Sequence, residues 1–311
     1  MKVLVAGGTG FIGTHLCTEL SDRGHDVTAA SRSPTGADLP AGVETAALDV
    51  TDASDAAAVV EGHDVVVNLV ALSPLFKPSG GDEMHDRVHR GGTRHLIDAA
   101  EDAGVERFVQ LSALGADPDG DTAYIRAKGA AETAVRGSQI PGVIYRPSVV
   151  FGEGGEFVGF TKKLKGWFAP GLPLYPLPGG GKTRFQPIWV QDLVPMIADG
   201  VESDDHLGET YELGGPDVLT LREVTERVYE AENSSVSIVP LPMGLAKVGL
   251  TAMGAVGGPM GADQYRSLQF DNTTARNDVE AFGVSESELT TLDDYLGLTA
   301  TEAGGDTTAT A

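Results

Sequence analysis

The chain has 311 residues, of which 41% are hydrophobic and 41 are glycine, so it can bury a sizeable core; a disordered tail, a collagen and a disulfide-stapled miniprotein are excluded. Its 45 acidic residues against 22 basic ones give a formal charge of −23, which repels nucleic-acid backbones and anionic lipid headgroups and points to a salt-adapted protein of a cytoplasmic, high-salt interior. The lone Cys17 allows no intramolecular disulfide and no cysteine-based zinc cluster.

In chain order, Lys2–Ala6 reads as a buried strand followed by a glycine-rich turn and a helix from Phe11 to Arg23, stopped by Gly24. Strands are expected at 26–31, 44–48 and 64–70, with a short helix at 52–61 capped by Asp52. A long helix spans 82–103 and ends at Gly104. It is followed by a strand at 107–111, a helix at 121–136 and a strand at 142–145. Strands alternating with helices predict right-handed βαβ units, hence an α/β fold of the Rossmann type: a doubly wound parallel sheet. After Pro147 the texture changes, and a smaller lobe is expected from 151–183, with a Pro-rich turn over 170–178, and from 217–298. Residues 184–216 rejoin the first unit (1–150), and 299–311 form a disordered tail. Later elements are a helix at 187–200, a strand at 209–213, a helix at 220–231, a strand at 235–239, and helices at 242–255 and 285–295. No stretch reads as a signal peptide or a spanning helix.

The strongest motif is Gly7-Gly8-Thr9-Gly10-Phe11-Ile12-Gly13, between a strand and a helix. Gly7 permits a tight turn, Gly10 a close approach of backbone to a pyrophosphate, and Gly13 close packing of helix on strand. The N–H groups of the helix start then face an anion, so the motif predicts dinucleotide binding. At the end of the second strand the chain reads Ala29-Ala30-Ser31-Arg32, without an acid for a ribose 2′-hydroxyl; the planar donor fork of Arg32 suits a 2′-phosphate, which favours NADP(H) over NAD(H). Tyr124 and Lys128 are four apart on one helix, so they share a face. An ammonium beside a phenol favours the phenolate, which makes the pair a proton donor and acceptor at a carbonyl or alcohol.

These segments resemble the extended and atypical short-chain dehydrogenase/reductase superfamily: the GxxGxxG loop, Leu48-Asp49-Val50, Asn68-Leu69-Val70-Ala71, the YxxxK pair and Arg146-Pro147-Ser148-Val149. The resemblance implies that Gly7, Thr9, Gly10, Phe11, Ile12, Gly13 and Arg32 contact the cofactor. It assigns Asp49 and Val50 to the adenine, Asn68, Val70 and Ala71 to the ribose, Lys128 to the nicotinamide ribose, and Pro147 and Val149 to the nicotinamide. Ser112 would be the third catalytic residue with Tyr124 and Lys128, although Ala113 stands where extended members often carry the working hydroxyl.

Leu111-Ser112-Ala113-Leu114-Gly115-Ala116-Asp117, Phe185-Gln186-Pro187-Ile188-Trp189 and Asp263–Asn272 are similar to the family of the nucleotide-binding accessory subunit of respiratory complex I. The expectation is an NADP(H)-dependent oxidoreductase acting on a carbonyl or alcohol. The alternatives are a non-catalytic NADP(H)-binding accessory or sensor protein docked on a larger complex, and a nucleotide-sugar epimerase or dehydratase. For the last, Lys162, Lys163, Lys165, Lys182 and Arg184 could hold a diphosphate, but they read better as a solvated basic loop. Trp167, Phe168, Tyr175 and Phe185 suggest a partly apolar pocket suited to an isoprenoid or quinone-like carbonyl, or simply core. His85 and His89 lack a third metal ligand and read as solvated or capping residues.

Overall fold

A computed structural model describes residues 1–169, 171, 174–255 and 257–298. Seven parallel strands form the central sheet: β1 (Lys2–Ala6), β2 (Asp26–Ser31), β3 (Glu44–Ala47), β4 (Val65–Asn68), β5 (Arg107–Leu111), β6 (Gly142–Pro147) and β11 (Thr210–Leu213). Their order is β3-β2-β1-β4-β5-β6-β11, a Rossmann-type arrangement with the chain reversing direction across the sheet between β1 and β4. The period-two alternation of strand side chains divides the core. Val3 and Val5 join the cluster beneath α1 (Phe11–Asp22) and α7 (Val190–Glu202), while Leu4 and Ala6 join the one beneath α2 (Ala53–Val60), α4 (Gly92–Ala103) and α5 (Ala123–Arg136). Cys17 is buried in α1, where desolvation pushes its thiol up to about 12 and leaves it a small apolar residue.

Local signals account for most boundaries. Asp52 caps α2 by accepting from the Ser54 N–H, and Gly104 ends α4 in the left-handed conformation. The helix expected over 82–103 has three parts: α3 (Glu83–His85), a π-helical segment at Asp86–Gly91, and α4. Beyond β6, the small strands β7 (Val150–Phe151) and β10 (Ile188–Trp189) pair in parallel, as do β8 (Leu174–Pro178) and β13 (Ser237–Leu241). The strands β9 (Arg184–Phe185) and β12 (Leu219–Thr220) pair antiparallel. The helices α6 (Phe157–Phe168), α8 (Leu221–Glu230), α9 (Met243–Ala255), α10 (Ala262–Ser267) and α11 (Leu292–Leu296) pack among these strands.

Three expectations change. Residues 157–168 form α6, where the sequence suggested only a glycine- and proline-rich covering segment. The Pro-rich turn becomes β8, tolerated because a two-stranded sheet is all edge. The helix expected over 285–295 is broken, because Ser285 and Thr291 each cap a separate turn through side chains that accept from Ser287 and Asp294 N–H groups. The tail at 299–311 lies outside the described residues, as does the side chain of Phe168. Among the described residues no helix is long and apolar enough to cross a membrane.

One buried charge ties the sheet to α5. The Glu132 carboxylate accepts from Ser112 Oγ (2.5 Å), Arg146 Nε (2.8 Å) and Nη2 (2.7 Å), and Arg136 Nη2 (2.9 Å), joining β5, β6 and α5. Removing the carboxylate leaves the partly buried Arg146 guanidinium with only Glu212, at 3.7 Å, and Ala116 O as partners, and leaves the Ser112 hydroxyl without its acceptor. Glu132→Ala is therefore expected to destabilise the fold by about 3 kcal/mol in chemical denaturation; a loss below about 1 kcal/mol, the range of an exposed pair, would contradict this role.

Candidate active site

The chain leaves β1 at Ala6 and turns through Gly7, whose φ of +85° is left-handed. Gly7 N–H donates to Ala30 O (2.8 Å), Gly8 N–H to Val5 O (3.0 Å) and Gly10 N–H to Gly7 O (3.0 Å), so the turn is held by β1, β2 and itself. A Cβ on Gly13 would lie 2.2 Å from Gly7 O; only glycine lets α1 pack this tightly on the turn. Gly8, which the sequence motif did not single out, is equally constrained: its Cβ would sit 2.7 Å from Ala29 Cα. Gly10 caps α1 with no side chain, and the first turn of α1 holds no acid. The N–H groups of Phe11, Ile12 and Gly13 therefore have neither an i−4 carbonyl within the helix nor an anion from the chain. These donors and the glycine cradle fit a dinucleotide diphosphate.

Around that turn, Thr9 Oγ1 donates to Ser31 Oγ (2.7 Å), fixing the end of β2, and Arg32 follows it into solvent. Asp49 accepts from Thr51 N–H (2.9 Å) and Oγ1 (2.8 Å). These bonds, with Arg32 and Arg87 nearby, hold its carboxyl below the usual range. Val50 is buried against Gly92. The Asn68 side chain is turned inward: Nδ2 donates to Thr93 Oγ1 and Gln110 Oε1 (both 3.0 Å), and Oδ1 accepts from Val70 N–H (3.2 Å). Asn68 thus shapes the backbone at Val70 and Ala71 from below rather than offering a side chain to a ligand.

A cleft of about 450 Å³ opens beside the glycine turn. Gly7, Gly10, Phe11, Ile12 and Gly13 form one wall, and Ala71, Pro147 and Val149 the floor. Tyr124 and Lys128 lie on another wall, from α5. The sequence-predicted residues are therefore brought together, save Arg32, Asp49, Val50, Thr9, Asn68 and Val70, which sit outside this cleft toward the ends of β2 to β4 or beneath it. Asn272 closes the floor, accepting from Val149 N–H (3.1 Å) and Ser148 Oγ (2.8 Å). Asp263 holds the start of α5 from a distant part of the chain by accepting from Ala123 N–H (2.7 Å).

Lys128 is buried, and its Nζ donates to Leu111 O (2.9 Å), 5.9 Å from the centre of the Tyr124 ring. Burial lowers Lys128 to about 8, opposed by Glu132, and pushes Tyr124 above the ordinary phenol range, so Tyr124 holds its proton at neutral pH. His85 and His89 are not solvated: both are buried, with ring centres 5.6 and 5.3 Å from Tyr124. The π-helical segment between them and the packing of α5 turn this face inward. His89 Nε2 accepts from Leu72 N–H (2.9 Å), which places the ring proton on Nδ1; desolvation keeps both rings below the usual histidine range and thus neutral.

Ser112 reaches the cleft edge, but its hydroxyl proton goes to Glu132, and the next residue on the wall is Ala113. The geometry therefore engages Ser112 in the buried charge network. Ser73, missed in the sequence, lines the same cleft. Its oxygen accepts from Leu75 N–H (3.3 Å), which leaves its proton available. Leu72, Pro74, Leu75, Leu114, Phe157, Phe185 and Phe270 add an apolar majority to the lining, which also includes Glu156, Ser148 and Ser267. Lys128 is the only basic residue on it among the described residues. Lys162 pairs with Glu232, Lys163 and Lys165 lie over the rings of Phe76 and Tyr229, and Arg184 pairs with Asp271. The solvated basic loop is thus mostly a helix with partnered cations.

A family model described as NAD(P)H-binding matches residues 7–164. The mitochondrial NADH dehydrogenase [ubiquinone] 1 alpha subcomplex subunit 9 of Arabidopsis thaliana is 32% identical over 253 residues, 78% of this chain and 61% of that protein. A 3 beta-hydroxysteroid dehydrogenase/Delta 5→4-isomerase of Mycobacterium tuberculosis is 41% identical over 115 residues, 36% of this chain and 31% of that protein. The chain therefore spans less than two thirds of the length of these relatives. The solved UDP-glucose 4-epimerase of Thermus thermophilus, complexed with NAD, shares the fold with a TM-score of 0.70 at 21% identity, covering 98% of this chain and 100% of that one. The glycine turn, the sheet order and the family model agree: the chain belongs to the NAD(P)H-binding family.

Proposed function

We propose that the protein is an NADP(H)-dependent oxidoreductase that reduces an apolar carbonyl compound or oxidises the corresponding alcohol. The observation that carries this reading is Tyr124, held protonated beside Lys128 in an apolar cleft next to the glycine turn. The nicotinamide, when bound, supplies or accepts the hydride. Tyr124 Oη gives its proton to the carbonyl oxygen in reduction and takes it back in oxidation. Protonated Lys128 holds the ribose hydroxyls and stabilises charge developing on the Tyr124 oxygen. Ser73 is the hydroxyl available as a second donor, in place of Ser112. The aliphatic and aromatic majority of the lining favours an isoprenoid, quinone-like or steroid-like substrate, consistent with the hydroxysteroid dehydrogenase relative. The nucleotide-sugar reading loses support because the candidate diphosphate clamp, Lys162 to Arg184, lies off the cleft. In this reading 151–183 and 217–298 form the substrate-covering lobe.

A second reading, a cofactor-holding accessory protein of a larger respiratory-type assembly, is favoured by Ala113 and by the engaged Ser112 hydroxyl, with the complex I subunit relative. Anaerobic incubation with NADPH and a panel of lipophilic carbonyls distinguishes the two. Turnover that falls at least about 100-fold in Tyr124→Phe, with nucleotide affinity retained, is expected for the enzyme. Absence of cofactor oxidation across the panel, or a Tyr124→Phe protein of undiminished rate, contradicts it.

Arg32 is proposed to read the 2′-phosphate. Arg32→Ala should weaken NADP⁺ binding about tenfold or more in calorimetry and leave NAD⁺ binding nearly unchanged; an equal effect on both would assign Arg32 no part in selection. Lys128 gives opposite trends above pH 8. Between about 8 and its ordinary 10.5 the unfolded chain carries the proton that the folded chain has lost, so this residue's contribution to stability rises with pH. Nucleotide affinity instead falls across that window, as the protonated form that holds the ribose disappears. Both trends should vanish in Lys128→Met; a flat affinity profile in the wild type would contradict the role.

A further inference from the structure

Acidic residues outnumber basic ones two to one over the chain, yet residues 157–191 and 233–262 contain no aspartate or glutamate. They hold six basic residues: Lys162, Lys163, Lys165, Lys182, Arg184 and Lys247. The fold brings these two stretches together. β8 pairs with β13, and Leu164, Tyr175 and Leu177 pack with Leu250 and Met260 in one apolar cluster. The loop at Phe76 and Lys77 bridges them: Phe76 meets Phe160 and Trp167 edge-on, and Lys77 Nζ donates to Gly254 O of α9 (3.1 Å). Lys162 and Arg184 have carboxylate partners, whereas Lys77, Lys163, Lys165, Lys182 and Lys247 form no ion pair among the described residues.

The outer side of this unit is apolar. α9 buries Ala246, Leu250 and Gly254 and turns Leu245 (63% exposed) and Val248 (67%) outward, with Ala252 and Ala255 at helical spacing on the same face. Val239 on β13 and Leu174 on β8 are exposed beside it.

We propose that this face, built from acid-free stretches, docks on an anionic phospholipid bilayer, with α9 lying in the headgroup plane and Lys247 against lipid phosphates. α9 is apolar on its buried and its outward side, with Lys247 as its one charge and no acid, and apolar surface beside a cation suits the headgroup boundary of an anionic bilayer. Protein interfaces are enriched in Tyr, Trp and Arg and depleted in Lys and Ala; the outward residues here are Leu, Val, Ala and Lys. A second copy placed symmetrically on this face would oppose lysine to lysine. The charge of −23 that repels anionic lipid belongs to the rest of the molecule, so repulsion elsewhere orients this face toward the bilayer. Leu75 both lines the cleft and packs in the apolar cluster, so the docked face adjoins a wall of the cleft.

The test is flotation of the full chain with vesicles of phosphatidylglycerol and phosphatidylcholine against phosphatidylcholine alone, at the lowest salt at which the protein remains folded. The wild type should float with the anionic vesicles. Lys247→Glu should weaken this about fivefold or more, and Leu245→Ser with Val248→Ser and Lys247→Glu should abolish it, while calorimetry shows unchanged NADP⁺ binding in each variant. Equal or no binding to the two vesicle types, full binding by the triple variant, or a dimer in light scattering that the triple variant disrupts would overturn the proposal. None of these readouts requires turnover, so they stand apart from the oxidoreductase reading.

Discussion

The start of α1 is the constraint on which the site depends. A helix that begins with glycine and carries no acid in its first turn presents unsatisfied N–H groups and a positive dipole end, an arrangement completed by an external anion. Gly7 and Gly13 bring those donors close to β1, because a side chain at either place would meet backbone. The turn is also bonded to β2 through Ala30 O, and Ser31 holds Thr9, so the phosphate cradle and the position of Arg32 belong to one rigid assembly. Distance along the sheet then sets everything else. In the proposed reading the nucleotide's far end would lie where β4, β5 and β6 finish, beside Lys128 and Tyr124 of α5.

Burial gives that pair its character. Desolvation disfavours charge on both groups, keeping Tyr124 protonated and bringing Lys128 to about 8, near enough to neutrality for small changes in surroundings to move its proton. The walls are themselves fixed by remote bonds: Asp263 on the start of α5, Asn272 on Val149, and His89 on Leu72. The neutral histidines pack their rings against Tyr124 without adding charge, and Glu132 draws the Ser112 hydroxyl away from the cleft. The lining that results is mostly apolar, with Ser73, Glu156 and Ser267 among its polar members, and this majority is what supports the proposal of an apolar substrate.

Much of this was legible before the structure. The continuous apolar run at Lys2–Ala6, the β-branched run at Val65–Val67 and the glycine stops wrote the parallel sheet into the chain, and the glycine turn announced an anion site through local chemistry alone. The missing parts depend on long-range packing. Helical spacing places His85 and His89 on one face but does not say that α5 covers it. Ser112 looks free until Glu132, twenty residues later, folds beneath it. The lysines of α6 look solvated until Phe76, Tyr229 and Glu232 arrive from elsewhere. α6 and β8 were obscured by surrounding glycine and proline, whose turn signals outweighed short apolar patterns. Bulk charge was misleading in its own way, since an average of −23 conceals two acid-free stretches that the fold places side by side.

Isothermal titration calorimetry of the folded chain with NADP⁺ and with NAD⁺ tests the central claim most directly. The account predicts one saturable site per chain, tighter for NADP⁺, and lost in Gly13→Ala proteins that retain the wild-type far-ultraviolet spectrum. No heat with either nucleotide, or wild-type affinity in Gly13→Ala, would contradict it.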